Sequence, residues 1–393
     1  MKVLFITREY PPFAVGGVAV HTFNLVKYLT KLGVSCKVLS FGSTELSSDN
    51  TIFVNPSSSI IDRNDSSIAL DARIPFDIIR FSRIANTLIK KEKFDIIHVE
   101  EPYVGPFIRN GKQVKVSTFH DTSFGEIYSI FSSSIDTSSL KRTIFYALFG
   151  FCFELMSIVS SKALIVPTPQ VRDELSKIYG VPRGKIEIVE NGVEIPALDK
   201  VADRYKAKVE LGFDSNTALI FTIARMVSRK RLDLLVKAIR LLHNKGLNNF
   251  HVCIAGDGPD RQNIARLVKQ YDLNNIIELP HWVSDEQKRL YYQAADIFVL
   301  PSQYEGFPLT LLEAMSYGVA AITSKMESLS NLRNGVDGLL FPTGDYHALS
   351  ECIKTLLNNS SLRAELSDSG RKFATRYDWQ TVAEQTKKLY ESL

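Results

Sequence analysis

Two glutamates, Glu305 and Glu313, stand eight positions apart in PSQYEGFPLTLLEAMSYG (residues 301–318), on either side of a Gly-Phe-Pro turn. Upstream, ARMVSRKRLDLLVKAIRLL places Arg225 five residues before Lys230 and sets Arg229, Lys230 and Arg231 ahead of a run with Leu232, Leu235, Ala238, Ile239 and Leu242 on one helical face. That spacing predicts the three cations in the first turn of a helix, where the macrodipole disfavours each by up to about 1 kcal/mol. An anion should therefore compensate them. A planar fork from Arg225, a point charge from Lys230 and orphan helix N–H groups suit a diphosphate; the plain alternative is a solvated basic turn.

An ionised carboxylate accepts hydrogen bonds and repels phosphate, so the two glutamates are expected to hold hydroxyls. Phosphates in the middle and hydroxyls on both flanks describe a nucleotide diphosphate sugar. The competing reading makes Glu305 a capping residue and Glu313 a solvated helix position. The pattern does not suit a glycoside hydrolase, which faces two carboxyls across the scissile bond at about 5–10 Å. A departing phosphate needs surrounding positive charge more than a strong general acid.

Two glycine-bearing loops could also approach an anion. EYPPFAVGGVAVH (residues 9–21) carries Gly16 and Gly17 ahead of a helical pattern, and GDGP (256–259) presents Gly256 after a strand pattern. Each is equally readable as a tight turn. Neither is G-x-G-x-x-G, which counts against a nicotinamide oxidoreductase.

These residues need strand ends to stand on. Short runs rich in Val, Ile and Leu alternate with amphipathic segments twice along the chain, as in βαβ units with parallel sheets. The first series is VLFIT (3–7), CKVLS (36–40), FDIIHV (94–99), VKVST (114–118), ALIVP (163–167) and IEIV (186–189). The second is ALIFTI (218–223), HVCIAG (251–256), IIEL (276–279), IFVL (297–300), VAAI (319–322) and GLLF (338–341). The expectation is an α/β chain of two doubly wound domains facing a cleft, divided near residue 197, with ligands at the carboxyl ends of the strands. Ser-rich stretches at 43–67 and 129–140 read as surface loops of the first domain, on its acceptor side.

The 393 residues, 45% hydrophobic and 23% charged, fit two compact globular domains, and a net charge of +4 is too mild to imply nucleic acid. Four dispersed cysteines signal neither zinc nor a disulfide framework; reduced thiols in a cytoplasmic protein fit best. The apolar run KVLFIT is too short for a signal peptide, so export is not expected. TIFYALFGFCFELMSIVS (143–160) approaches the length of a membrane span but carries Gly150 and Glu154. A buried helix is the preferred reading and a membrane-dipping helix the alternative. Basic residues from Arg73 to Lys93 make peripheral docking on an anionic membrane an open expectation.

EGFPLTLLEAMSYG resembles the E-x7-E signature of the retaining GT-B glycosyltransferases of family 4, also called glycosyl transferases group 1. The likeness extends through YPP-x4-GG-x3-H, TFHD (118–121), IVP-x11-YGV-x5-I-x3-NGV (165–193), R-x4-K and GDGP. It implies that Gly17 lies under the donor phosphates, that Arg225 and Lys230 clamp the diphosphate, and that Glu313 binds the ribose. Glu305, with backbone N–H groups at Phe307 and Leu309 around Pro308, would hold the donor sugar. His120 resembles the family's histidine near the reacting sugar, and HWVSDEQ (281–287) the loop that reads the base, through Trp282 and Val283. The last helix, about 377–393, would cross back to the N-terminal domain (1–196) from the C-terminal nucleotide-sugar domain (197–376). No Asp-x-Asp occurs, so metal-independent transfer of a hexose to a saccharide or lipid-linked acceptor is expected, as in cell-surface polysaccharide or glycolipid assembly.

Three positions depart from the pattern. Val15 replaces a lysine of glycogen and starch synthases, MESLS (326–330) stands where G-G-x-P-E is common, and Ala224 replaces a glycine. Two alternatives stand: a sugar-nucleotide epimerase of the same architecture, and an inert binding protein, for which MESLS is the one hint. Turnover and an acceptor requirement distinguish them from a transferase.

Overall fold

The computed structural model describes residues 1–13, 16–58, 73–109, 111–125, 127, 149–197 and 200–393, with backbone only at 200–203. Val15, the Ser-rich stretch 129–140 and residues 143–148 of the apolar segment lie outside the described residues. The chain forms two compact units, Met1–Gly192 with Trp379–Leu393, and Val193–Asp378.

The first unit is built on seven parallel strands: β1 (Lys2–Ile6), β2 (Ser35–Phe41), β3 (Thr51–Val54), β4 (Ile96–Val99), β5 (Val114–Thr118), β6 (Ala163–Val166) and β7 (Ile186–Ile188). Their order is β3-β2-β1-β4-β5-β6-β7, so the winding reverses between β1 and β4. Its helices include α1 (Gly17–Lys31), α2 (Ile74–Lys91), α3 (Phe151–Ser160), α4 (Pro169–Ile178) and, last in the chain, α12 (Trp379–Ser392). Strand alternation splits the core. Val3, Phe5, Val38 and Val116 pack with Leu25 and Leu29 of α1 and with Val382, Ala383 and Tyr390 of α12. Leu4, Ile6, Leu39 and Phe41 pack with Ile78 and Phe81 of α2 on the other face. The final helix thus belongs to the N-terminal unit. Its Trp379 closes over Gly192, where a Cβ would lie 2.3 Å from the indole.

The second unit has six strands: β8 (Ala218–Ile223), β9 (Phe250–Ala255), β10 (Ile277–Glu278), β11 (Ile297–Leu300), β12 (Ala320–Ser324) and β13 (Leu339–Phe341), in the order β10-β9-β8-β11-β12-β13. Around them lie α5 (Lys200–Glu210), α6 (Leu232–Asn244), α7 (Arg261–Gln270), α8 (Asp285–Ala294), α9 (Leu309–Ser316), α10 (Tyr346–Asn358) and α11 (Ser360–Ala374). Ile220, Val252, Val299 and Ile322 pack against α6, α7 and α10; Leu219, Phe221, Phe298 and Leu300 face α8, α9 and α11. Here the winding reverses between β8 and β11, whose following loops carry Arg225 to Lys230 and Glu305 respectively. A topological switch point opens a crevice outside the strand ends, which is why ligands collect there.

Three expectations are corrected. TIFV, inside a stretch read as loop, is the edge strand β3: four residues between SSDN and NPSSS are too short to show a period. Pro308, which its place before LTLLEAMSY marks in the sequence as the first residue of a helix, instead precedes α9, which starts at Leu309; with φ −85° and ψ 71° it sits at the apex of an inverse γ-turn closed by Leu309 N–H to the Phe307 carbonyl at 3.0 Å. The buried-helix reading of 143–160 holds for one face only of its described part. Glu154, Ser157 and Ile158 are buried on α3, whereas Val159 is 80% exposed and Phe149, Phe151 and Met156 are exposed too.

Glu154 supports the segment that follows β5. One of its oxygens accepts the Ser123 N–H at 2.7 Å and the Ser123 hydroxyl at 3.0 Å, and the other accepts the Tyr179 hydroxyl. Burial pushes this carboxyl up to about 7, against the opposing pull of the Tyr179 and Ser123 hydrogen bonds. Its folded value lies above the ordinary 4.5, so between these limits the folded chain holds a proton that the unfolded chain has lost. The resulting contribution to stability is present at low pH and is lost as pH rises through about 7. Relative to Glu154→Gln, the native chain should lose up to about 3 kcal/mol of stability from pH 4.5 to 7.5. Urea unfolding of both proteins across that range tests this, and a difference that does not vary with pH contradicts it.

Candidate functional site

In the second unit the polypeptide leaves β8 through Ala224, Arg225 and Met226, makes a 3-10 turn at Ser228–Lys230, and enters α6 through Arg231, which is left-handed at φ 48°. The cations therefore precede α6 instead of occupying its first turn, a position taken by Asp233. Protein carboxylates compensate them. Lys230 Nζ donates to both oxygens of Glu305 at 2.7 and 2.8 Å, Arg229 Nη1 lies 3.5 Å from the same carboxylate, and Arg231 Nε donates to Asp233 at 3.0 Å. The expected compensating anion, read from the sequence as a diphosphate, is supplied within the protein: Glu305 is the counter-ion of Lys230 and Arg229. Burial alone would raise the Glu305 carboxyl, but the Lys230 ammonium and Arg229 guanidinium outweigh it and hold the group below the usual carboxylate range.

The GDGP loop holds Arg225 in register. Met226 N–H donates to Asp257 O at 2.7 Å and Asp260 N–H returns to Met226 O at 2.9 Å. Gly256, at φ +128°, brings its α-carbon so close that a Cβ would lie 2.0 Å from Ala224 O. Gly256 is needed for this interlock. The same loop touches the segment after β10 at His281, whose Nδ1 is 2.8 Å from Asp257 Oδ2; next to it Trp282 is 36% exposed and Val283 is half-buried against the core.

Glu313 projects from one turn inside α9 and is anchored from α8: it accepts from Lys288 Nζ at 3.2 Å and from the Tyr292 hydroxyl at 2.8 Å. Burial would lower the Lys288 pKa, yet Glu313 and Asp285 raise it, so the ammonium stays charged. Near Glu305, Phe307 packs edge-on to Tyr377, and the Leu309 N–H is committed to its γ-turn, contrary to its assignment as an open donor.

In the first unit, β1, β4 and β5 end in polar residues that converge. Glu100 is wholly buried after β4. Its Oε2 lies 3.2 Å from His120 Nε2, after β5, and 3.7 Å from His21 Nε2, on α1; its Oε1 lies 3.7 Å from His98 Nε2. His98 is itself held by the hydroxyls of Tyr390 at 2.5 Å and Thr118 at 2.6 Å. Burial drives His21 down to about 3, so the ring is neutral. Burial also penalises ionised Glu100, but the three imidazoles outweigh it and bring the carboxyl down to about 2.

The glycine pair stands differently from expectation. Gly16 is extended at φ −154°, and its N–H, predicted to face an anion, donates to Glu9 Oε2 at 2.7 Å. Gly17 opens α1. Glu9 pairs with Arg8 at 2.8 Å, and Arg8 also reaches Glu101 at 3.3 Å. Burial lifts Glu101 to about 7, with Arg8 opposing and Glu9 reinforcing the rise.

Sequence reasoning passed over His21, His98, Glu100, Lys288 and Tyr292. For the first three a signal existed: His98-Val99-Glu100 ends an otherwise apolar strand, and His21 closes GG-x3-H. Lys288 and Tyr292 looked like ordinary surface positions of an amphipathic helix, at i and i+4.

Two family models match, one to each half of the chain. Residues 15–195 match the family described as Glycosyltransferase Family 4, and residues 203–373 match Glycosyl transferases group 1. An uncharacterized glycosyltransferase of Methanocaldococcus jannaschii is 22% identical, covering 100% of this chain and 98% of its own. The phosphatidyl-myo-inositol mannosyltransferase of Mycobacterium leprae is 25% identical over 96% of this chain and 93% of its own. Among solved structures, sucrose-phosphate synthase from Thermosynechococcus elongatus has a TM-score of 0.83 at 19% identity, covering 100% of this chain and 98% of its own. The Anabaena protein HepE in complex with UDP-glucose has a TM-score of 0.74 at 17% identity over 100% of both chains.

The interlock at Gly256 yields a sharp contrast. Gly256→Ala should cost about 2–4 kcal/mol or rearrange the loop, since both φ and the Ala224 carbonyl oppose a side chain. Gly246→Ala, at φ +78° with open space around it, should cost only about 1 kcal/mol. Denaturant unfolding of both variants checks this, and equal costs would remove the steric account.

Proposed function

Because the chain belongs to the group 1 glycosyltransferases of family 4 and has their GT-B fold of two Rossmann-like units, we propose that it moves a hexose from a nucleotide diphosphate sugar to a saccharide or lipid-linked acceptor, with retention and without a metal. The observation that carries this reading is the Lys230–Glu305 pair beside Arg225 at the β8/β11 switch point. In the reaction the bond between the anomeric carbon and the phosphate oxygen breaks, its electron pair leaves with the diphosphate, the acceptor hydroxyl oxygen bonds to that carbon, and the hydroxyl proton passes to the departing diphosphate. Lys230, fixed by two hydrogen bonds to Glu305, brings its positive charge to the departing phosphate, with Arg225 sharing that charge.

The remaining assignments follow the same division of charge. Glu305 holds the donor sugar with Phe307 and Pro308, Glu313 takes the ribose hydroxyls, and Trp282 and Val283 meet the base. Gly256 brings its loop to the diphosphate. In the first unit His120 lies beside the reacting sugar, and Gly16 and Gly17 approach a phosphate once Glu9 yields the Gly16 N–H. The solved Anabaena complex contains UDP-glucose, which supports a nucleotide sugar as donor.

The acceptor side supports lipid-linked chemistry at the cytoplasmic face of a membrane. Phe76 is 73% exposed and Ile79 39% exposed on α2, along the side that carries exposed Arg80, Arg83 and Lys90. That is the composition of a helix that lies on an anionic surface. Among the described residues no helix is long and apolar enough to cross a membrane.

Lys230→Ala should lower transfer by at least about 100-fold with the fold retained, as for loss of one preorganised charge on a leaving group. The assay is a panel of UDP-, GDP- and ADP-sugars with and without chelator. Retained turnover in the variant removes the diphosphate assignment, and abolition by chelator removes metal independence. Separately, the chain should sediment with anionic but not neutral liposomes, and Phe76→Asp should weaken this at least about tenfold; equal pelleting with both lipids counts against surface docking.

A further inference from the structure

The polar cluster of the first unit combines ligand types that the transfer reaction does not call for. We infer that His21, Glu100 and His120 form a binding site for a zinc-type divalent ion, and that the ion inhibits the enzyme by occupying His120. The binding claim stands on the cluster alone, while the inhibition claim rests on the proposed place of His120 beside the reacting sugar.

Two imidazoles and one carboxylate are the donor set of open zinc sites, which keep a fourth position for water. Imidazole nitrogen selects zinc, cobalt, nickel or copper over magnesium and calcium, which prefer oxygen ligands. One ligand atom from each residue can be chosen so that all three lie within 4.8 Å of one another. Ligands at about 2.0–2.1 Å from a tetrahedral ion are roughly 3.3–3.4 Å apart. The separations of 3.2 Å for His120–Glu100 and 3.7 Å for His21–Glu100 already approach that figure. The two histidine rings meet edge to face with centroids 4.8 Å apart, so small side-chain rotations bring their nitrogens onto one ion.

An independent observation points into the same space. Both ring nitrogens of His21 are buried and lack a hydrogen-bond partner, as does Glu100 Oε1, although the His21 side chain is only 3% exposed and that of Glu100 is 0% exposed. A buried polar atom without a partner costs about 1–3 kcal/mol, and such atoms at a native site call for a ligand. An outer shell is also present. His98, pinned between Tyr390 and Thr118, stands 3.7 Å from Glu100 Oε1 and limits where the carboxylate can turn. Coordination takes the Nε2 lone pair of His120 and so withdraws that ring from any sugar hydroxyl. The reaction itself remains metal-free.

The test uses the untagged full chain, stripped with chelator and free of sugar nucleotide. Co2+ titration followed by visible absorption, and Zn2+ titration by calorimetry, should each saturate at one equivalent and resist a large excess of Mg2+. Glu100→Gln, His21→Asn and His120→Asn should each weaken binding at least about tenfold, as expected when one of three ligands is lost. Thermal melts show which variants are folded and give a second reading, because Zn2+ should raise the melting temperature of the native chain and not of the variants. Should Glu100→Gln fail to fold, the two histidine variants carry the comparison. Absence of saturable binding to the native chain, or undiminished affinity in folded His21→Asn, overturns the site. Binding at one equivalent with no loss of transferase activity overturns the inhibition, and the placement of His120 at the reacting sugar with it, while leaving the site intact.

Discussion

A lysine and a glutamate brought together at the strand ends of the second unit impose the main constraint on its loops. The side chain of Glu305 is 6% exposed and that of Lys230 is 15% exposed, so both charges are largely removed from water. Such a pair is tolerated only where geometry is tight and neighbouring dipoles complete the hydrogen bonding. The surrounding loops meet that demand. Gln303 N–H donates to Arg229 O at 2.8 Å, tying the β11 loop to the β8 loop, while Gly256 and Gly258 let the β9 loop press against the backbone of residues 224–226. Three loops from adjacent strands thereby hold one ammonium group at a fixed place.

Much of this was readable from residue types because the governing periods are local. VKVST, ALIFTI and IFVL coincide with β5, β8 and β11, since buried parallel strands read as short apolar runs between polar turns. What the residues could not disclose was pairing across distance. Glu305 and Lys230 are 75 positions apart, and reasoning from charge alone kept them separate, assigning one to hydroxyls and the other to phosphate. Both assignments survive as a proposal only because an ammonium can serve two acceptors. The same limit hid the Glu9 contact with Gly16, which takes up an N–H group thought open, and the γ-turn at Pro308, which closes another. A motif fixes which atoms are nearby, but hydrogen-bond bookkeeping decides which of them are available.

The first unit was less legible for a related reason. His21, His98, Glu100 and His120 come from a helix and two strand ends, with no repeated spacing, and each by itself reads as a core or capping residue. Only the parallel register, which aligns Phe5 with His98 and His98 with Val116, brings the carboxyl ends of β1, β4 and β5 side by side. The fold therefore creates the cluster, and Tyr390 of the last helix completes it from the far end of the chain. This gives the return of α12 a chemical as well as a packing role, since Tyr390 fixes His98, and His98 faces the carboxylate.

The two switch points carry opposite chemistry on the same topology. At β8/β11, cations are anchored by a buried carboxylate. At β1/β4, the carboxyl groups of Glu9, Glu100 and Glu101 gather with the imidazoles of His21, His98 and His120, and Arg8 pairs with Glu9 and Glu101. A diphosphate entering the second unit replaces lost hydration with ammonium and guanidinium contacts, whereas at the first it meets like charge in a low-dielectric setting, where repulsion is strongest. Hydroxyl groups and soft cations have the reverse preference, because both are bound by carboxylate and imidazole. On the proposed reading, the sign of the buried charge, more than the shape of either sheet, directs the diphosphate to the cations of the second unit and lets the glycine pair of the first approach it only where Glu9 gives way.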